Sequence, residues 1–81
     1  MNITVKTFAS LSDMCGFREK VYALPEGSSV SALLDMVVCE CPGLGRVKAG
    51  LLSAVNEEHS PGTRLLSNND VVAFFPPVSG G

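Results

Sequence analysis

Val30, Leu33, Leu34, Val37, Val38 and Cys41 recur at i, i+3, i+4, i+7, i+8 and i+11, the spacing of one apolar stripe along an α-helix. Ser31, Asp35 and Glu40 fall on the other faces, so the helix must bury a single side. It is the clearest helical signal in the chain, and most of the remaining apolar residues are spaced as strands. A lone striped helix among strands implies one arrangement above others: the helix lies across one face of a sheet. Its ends are marked as well. Pro25-Glu26-Gly27 is a turn, Ser28 or Ser29 can cap the first helical amides, and Pro42 pushes Cys41 out of the helical region.

From the N-terminus, residues 2–8 alternate, with Ile3, Val5 and Thr7 on one face and Thr4 and Lys6 on the other, the pattern of a half-buried strand. Residues 9–15 suit a short helical turn stopped by Gly16. In residues 17–24, Val21 and Tyr22 favour strand while Arg18, Glu19 and Lys20 dilute the apolar pattern, as expected of an outer strand. Residues 43–50 hold three glycines but follow a helix, match neither a dinucleotide fingerprint nor Walker A, and read as a solvated connecting loop; Arg46 and Lys48 are its cations. A third strand covers residues 51–56, a polar bend residues 57–62, and a short strand or single turn residues 63–66. After the turn cluster Ser67-Asn68-Asn69-Asp70, the run Val71-Val72-Ala73-Phe74-Phe75 has no polar residue and reads as a central strand.

Size and charge narrow the function. A domain of 81 residues buries only about 60–65% of its unfolded surface, which leaves little room for a private active site. Hydrophobic residues make up 46% and charged residues 17%, too apolar for disorder, and no apolar run reaches the roughly 18 residues of a membrane helix. A net charge of −2 argues against a nucleic-acid surface. Met1-Asn2-Ile3-Thr4-Val5 enters a strand with no basic and apolar leader, so a cytoplasmic protein is expected, with no membrane partner. Cys15, Cys39 and Cys41 form no C-x-x-C pair and His59 is the single histidine, so neither a metal site nor a cofactor is expected. Cys41 reads as a small core residue and His59 as solvated.

The end of the chain carries the functional signal. Pro76 and Pro77 have fixed φ and no N–H, so the strand ladder should stop there and the backbone continue as extended polyproline II through Val78 and Ser79. Gly80 and Gly81 have no Cβ, which lets a backbone thread a narrow channel and present its carboxylate to another protein. The expected division is a domain over residues 1–75 and an extended tail over residues 76–81. Phe74 and Phe75 point to opposite faces, Phe74 with Val72 and Phe75 with Val71 and Ala73. Phe75 is then expected on the open face, uncovered by anything else in the chain, as an anchor for a partner.

The order strand, strand, helix, strand or strands, strand, with first and last strands adjacent and parallel, is an α+β domain of the β-grasp, or ubiquitin-like, type: a mixed sheet of four to five strands under one main helix. Phe8-Ala9-Ser10-Leu11 after the first strand, Ala54-Val55-Asn56 at the third, and the segment from Asp70 to Gly81 together resemble the small, sulfur-carrying subunits of molybdopterin synthases. The resemblance spans essentially the whole chain and is strongest at Phe74-Phe75-Pro76-Pro77-Val78-Ser79-Gly80-Gly81. Asn69 stands where that family commonly has glycine, and asparagine tolerates the same positive-φ turn.

The resemblance implies a chemistry. An α-carboxylate titrates at about 3.3–3.7, so at neutral pH it is an anion and a poor electrophile that must be activated. In that family a ubiquitin-activating-like enzyme adenylates the terminal glycine, here Gly81, and a sulfur-donor persulfide protein converts it to a thiocarboxylate. The tail then enters the large, catalytic subunit of molybdopterin synthase, within a heterotetramer, where its sulfur passes to cyclic pyranopterin monophosphate. The small subunit itself donates sulfur without catalysing the transfer. Thiamine-pathway sulfur carriers share the Gly-Gly end and the activation chemistry but look less like Phe-Phe-Pro-Pro, and a ubiquitin-like modifier would use the same carboxylate to form isopeptides. A β-grasp ferredoxin would need a cysteine quartet, and a plain interaction module would leave Gly-Gly without a role.

Overall fold

The computed structural model describes residues 1–8 and 10–76. Five strands form one mixed sheet: β1 (Asn2–Thr7), β2 (Glu19–Ala23), β3 (Leu52–Val55), β4 (Glu58–His59) and β5 (Val71–Phe75), in the order β2-β1-β5-β3-β4. The apolar run β5 is the central strand, parallel to β1 (Val5 opposite Val72) and antiparallel to β3 (Val55 opposite Val72). The charge-diluted β2 is an edge strand, antiparallel to β1. This is the β-grasp arrangement, with the sheet at the upper end of the expected strand count.

Helix α2 (Val30–Glu40) covers one face. Ser29 caps it, its side chain accepting from the Ala32 amide at 3.2 Å, and Cys41 closes it with its N–H donating to the Val37 carbonyl. Val30, Leu33, Val37 and Cys41 from the stripe are buried against Ile3, Val5, Val55, Val72 and Phe74 from the sheet, while Leu34 and Val38 pack at the margin. The short helix α1 (Ser10–Cys15) ends at Gly16, whose φ of 77° is the left-handed conformation that glycine adopts without strain. Its Leu11 is fully buried in the same core. Buried Thr7 stays satisfied through Ser12 and the Phe17 carbonyl.

Three details differ from the sequence reading. Strand β1 stops at Thr7, one residue early, and leaves Phe8 exposed. Residues 43–50 are not a solvated loop: Pro42–Arg46 and Lys48–Gly50 are 3₁₀ turns, Leu44 is fully buried, and Lys48 pairs with Asp35 of α2. Glycines masked the apolar anchor in that segment. The polar bend after β3 contains a tight hairpin, because Asn56 (φ 51°) and Glu57 (φ 70°) both take left-handed conformations, as a two-residue type I′ connection requires.

The same region ties down the start of β5. The Asn56 amide donates to the Val71 carbonyl, its side-chain oxygen accepts from the Val71 amide, and its Nδ2 donates to Asp70. Asn69 takes the positive φ expected of it, 71°, and its N–H donates to the Asn2 carbonyl at 2.8 Å.

Candidate functional site

The geometry at the end of β5 follows from strand alternation. Val72 and Phe74 are buried on the helix side, Phe74 only 1% exposed, and Val71, Ala73 and Phe75 lie on the opposite face, each half-buried. Register carries that face across the sheet: Thr4 and Lys6 of β1 lie opposite Val71 and Ala73, and Ala54 and Leu52 of β3 opposite Ala73 and Phe75. No helix covers it among the described residues. With exposed Phe8 and Val21 it forms a mostly apolar field edged by the loose Lys6–Glu19 ion pair at 3.8 Å.

Phe75 is placed on the open face as expected, but it is not left uncovered. Phe8 meets its ring edge-on, centroids 6.3 Å apart at 62°. His59 lies nearly parallel to it, centroids 6.2 Å apart at 12°. The imidazole read as merely solvated is exposed to water yet stacked on this ring. It reaches Phe75 diagonally: His59 pairs with Ala54, Ala54 with Ala73, and Phe75 with Leu52. The small side chain at Ala54 lets the ring lean across β3. Sequence reasoning missed His59 because a contact across three strands leaves no local periodicity, and the polar Glu57-Glu58-His59-Ser60 segment carried no other signal.

Pro76 follows Phe75 and is half-buried. The other candidate residues, Pro77, Val78, Ser79, Gly80 and Gly81, lie outside the described residues, so the structure describes only the strand end from which the expected tail would leave. Its backbone is held unevenly. On the β3 side the ladder runs to the Leu52–Phe75 pair, whereas on the β1 side it ends one residue sooner, at Thr7–Phe74.

The perturbed groups lie away from this end. Burial, with Cys41 beside it, pushes the Cys15 thiol up to about 12, which keeps it protonated and unreactive. Cys41 is buried as read from the stripe, and Cys39 is exposed. Glu40, at the end of α2, accepts from Lys20 and from the Tyr22 hydroxyl, which hold its carboxyl below the usual carboxylate range; burial, then Glu40, push the Tyr22 phenol upward. These contacts tie α2 to β2. The groove beside Phe8, lined by Lys6, Ser12, Asp13, Phe17 and Arg18, mixes both charges and has no enclosed floor.

Comparison with known proteins places this geometry. The profile of the ThiS family matches residues 5–81. The molybdopterin synthase sulfur carrier subunit of Arabidopsis thaliana is 31% identical over 81 residues, covering all of this chain and 84% of that protein. The crystal structure of SAMP1, a small archaeal modifier protein of Haloferax volcanii, superposes with a TM-score of 0.87 at 28% identity, covering both chains completely. Subunit 1 of the molybdopterin-converting factor of Helicobacter pylori, solved in complex with subunit 2, shares the fold at 21% identity and a TM-score of 0.70 over the full length of both chains.

Proposed function

Because the chain belongs to the ThiS family, we propose that it is the sulfur carrier of a molybdopterin synthase, acting through the carboxylate of Gly81. ATP converts that carboxylate to an acyl-adenylate on a ubiquitin-activating-like enzyme, with release of pyrophosphate. The outer sulfur of a protein persulfide then attacks the adenylate and displaces AMP, leaving an acyl disulfide. A second thiol of that donor cleaves the S–S bond, is itself oxidised to a disulfide and releases the thiocarboxylate, which gives its sulfur to cyclic pyranopterin monophosphate in the large synthase subunit while water restores the carboxylate. The carrier contributes a sulfur atom and a docking surface, and the acid–base and anion-binding groups belong to the partners. The setting is the cytoplasm; no helix among the described residues is long and apolar enough to cross a membrane.

The observation that carries this reading is the placement of Phe74, Phe75 and Pro76. The tail springs from the central strand of the sheet, with Phe74 locked in the core and Phe75 turned to an open apolar face. Such a base lets Pro76, Pro77, Val78, Ser79 and Gly80 deliver Gly81 into a partner while Phe75 docks on that partner's surface. The full-length likeness to a protein named as a molybdopterin synthase sulfur carrier, and the solved complex of a like-folded subunit with a second subunit, support both halves of the reading.

The test is the intact mass after incubation with the cognate activating enzyme, ATP and a sulfur source. The expected product is heavier by one sulfur-for-oxygen exchange and is consumed when the large subunit and the pterin precursor are added. Removing Gly81, or extending the chain beyond it, abolishes the exchange and leaves the circular dichroism unchanged; full activity in an uncleaved extended chain refutes the proposal. The likeness to SAMP1 favours a second reading, a protein modifier. A ladder of isopeptide conjugates without any thiocarboxylate would select it.

A further inference from the structure

Phe75 is the last residue of β5, and the ladder that fixes it is one-sided: Leu52 pairs with it from β3, but the parallel pairing with β1 has already ended at Thr7–Phe74. Backbone pairing on one flank leaves a strand end free to swing about that flank, and Pro76, lacking an N–H, adds no hydrogen bond of its own. Side chains take over where the ladder stops. Phe8, the residue after β1, meets the Phe75 ring from the β1 flank, and His59 stacks on it from β4, two strands away on the other flank. The ring is thus held from both flanks at the residue where the chain leaves the sheet.

We infer that His59 is a positioning residue, whose imidazole clamps Phe75 and so sets the direction in which the tail departs at Pro76. This rests on the carrier reading only in what the tail is then used for. Three features single out His59 from the other exposed residues of the open face. Its ring plane is within 12° of Phe75, it belongs to a two-residue strand held at the tight Asn56–Glu57 turn, and it crosses Ala54, a side chain short enough to let it pass. A misdirected tail lowers the rate of the step at its tip, because reacting groups must arrive aligned; loss of a simple docking contact weakens binding alone.

The experiment compares the full-length wild type with His59→Ala and His59→Phe in pyrophosphate exchange driven by the cognate activating enzyme and ATP. For His59→Ala, kcat falls by about three- to tenfold, the size one ring pair supports, with KM for the carrier little changed, and His59→Phe restores kcat. A rise in KM at unchanged kcat overturns the inference, since it marks His59 as a docking contact only. Unchanged kinetics overturn it too. The clamp is read independently, without any enzyme, from proton–carbon NMR of the Phe75 ring and the Pro76 δ-methylene. Both shift in His59→Ala and return toward wild-type positions in His59→Phe, and unmoved Pro76 signals in His59→Ala refute the clamp. Wild type that supports no exchange counts against the carrier reading, while the NMR comparison still decides the clamp.

Discussion

The two faces of the sheet are built from alternate residues of the same strands, yet they are held by different forces. On the helix side Ile3, Val5, Val72 and Phe74 are at most 1% exposed and packed against Leu33 and Val37 of α2. On the other side Val71, Ala73 and Phe75 are half-buried, and the rings of Phe8 and His59 give Phe75 its only aromatic partners among the described residues. Stability therefore resides in one face, and the other is free to carry recognition. Adjacent phenylalanines in one strand serve the two ends, Phe74 the core and Phe75 the surface.

The sharpest way to break that comparison is to truncate both. Phe74→Ala is expected to cost about 3–5 kcal/mol of stability, the range for a fully buried ring. Phe75→Ala loses two ring pairs and about 1–2 kcal/mol, while its binding to the large subunit or the activating enzyme weakens. Urea unfolding midpoints measure the first difference and calorimetric titration the second. Equal midpoints, or undiminished affinity for Phe75→Ala, would erase the division of labour.

The rim of the helix side has its own signature in pH. Lys20, then Tyr22, lower the Glu40 pKa in the folded state. A lowered pKa means stability that is present above the unfolded-state value of about 4.3 and lost as pH falls through the folded-state value. Wild type and Glu40→Gln should therefore differ in stability near neutrality and converge below about pH 4. Burial raises the Tyr22 pKa, which has the opposite sense: its contribution is present below about pH 10 and fades as pH rises beyond that. Thermal melts across both limbs check the two signs. The smallest effect belongs to the open face, where the Lys6–Glu19 pair is loose and exposed. Glu19→Gln should change stability by less than about 1 kcal/mol.

How far the sequence revealed this depended on the range of each interaction. The α2 stripe, the Pro42 stop and the unbroken apolar run of β5 are local signals that appear in the fold where the residues placed them, and of the two serines that could cap α2 the fold uses Ser29. The alternation that separates Phe74 from Phe75 is equally local. The buried Leu44 escaped notice because its glycine neighbours resemble a loop, and the 3₁₀ turns that carry it have no apolar period. The His59 stack escaped because it depends on two successive registers, β4 on β3 and β3 on β5, that only the assembled sheet brings together.

The parallel pairing of β1 with β5 joins the two parts of the chain most distant in sequence, Thr4 with Val71 and the Asn69 amide with the Asn2 carbonyl. Such a closure is entropically late, and the strand that completes it stands at the centre of the sheet, where the others need it as a partner. A growing polypeptide that has not yet reached β5 has two strand pairs, β1 with β2 and β3 with β4, and no strand to join them into one sheet under the helix. A chain ended before Val71 is therefore expected to stay unfolded, so that attaining the native fold would itself certify translation through Phe75.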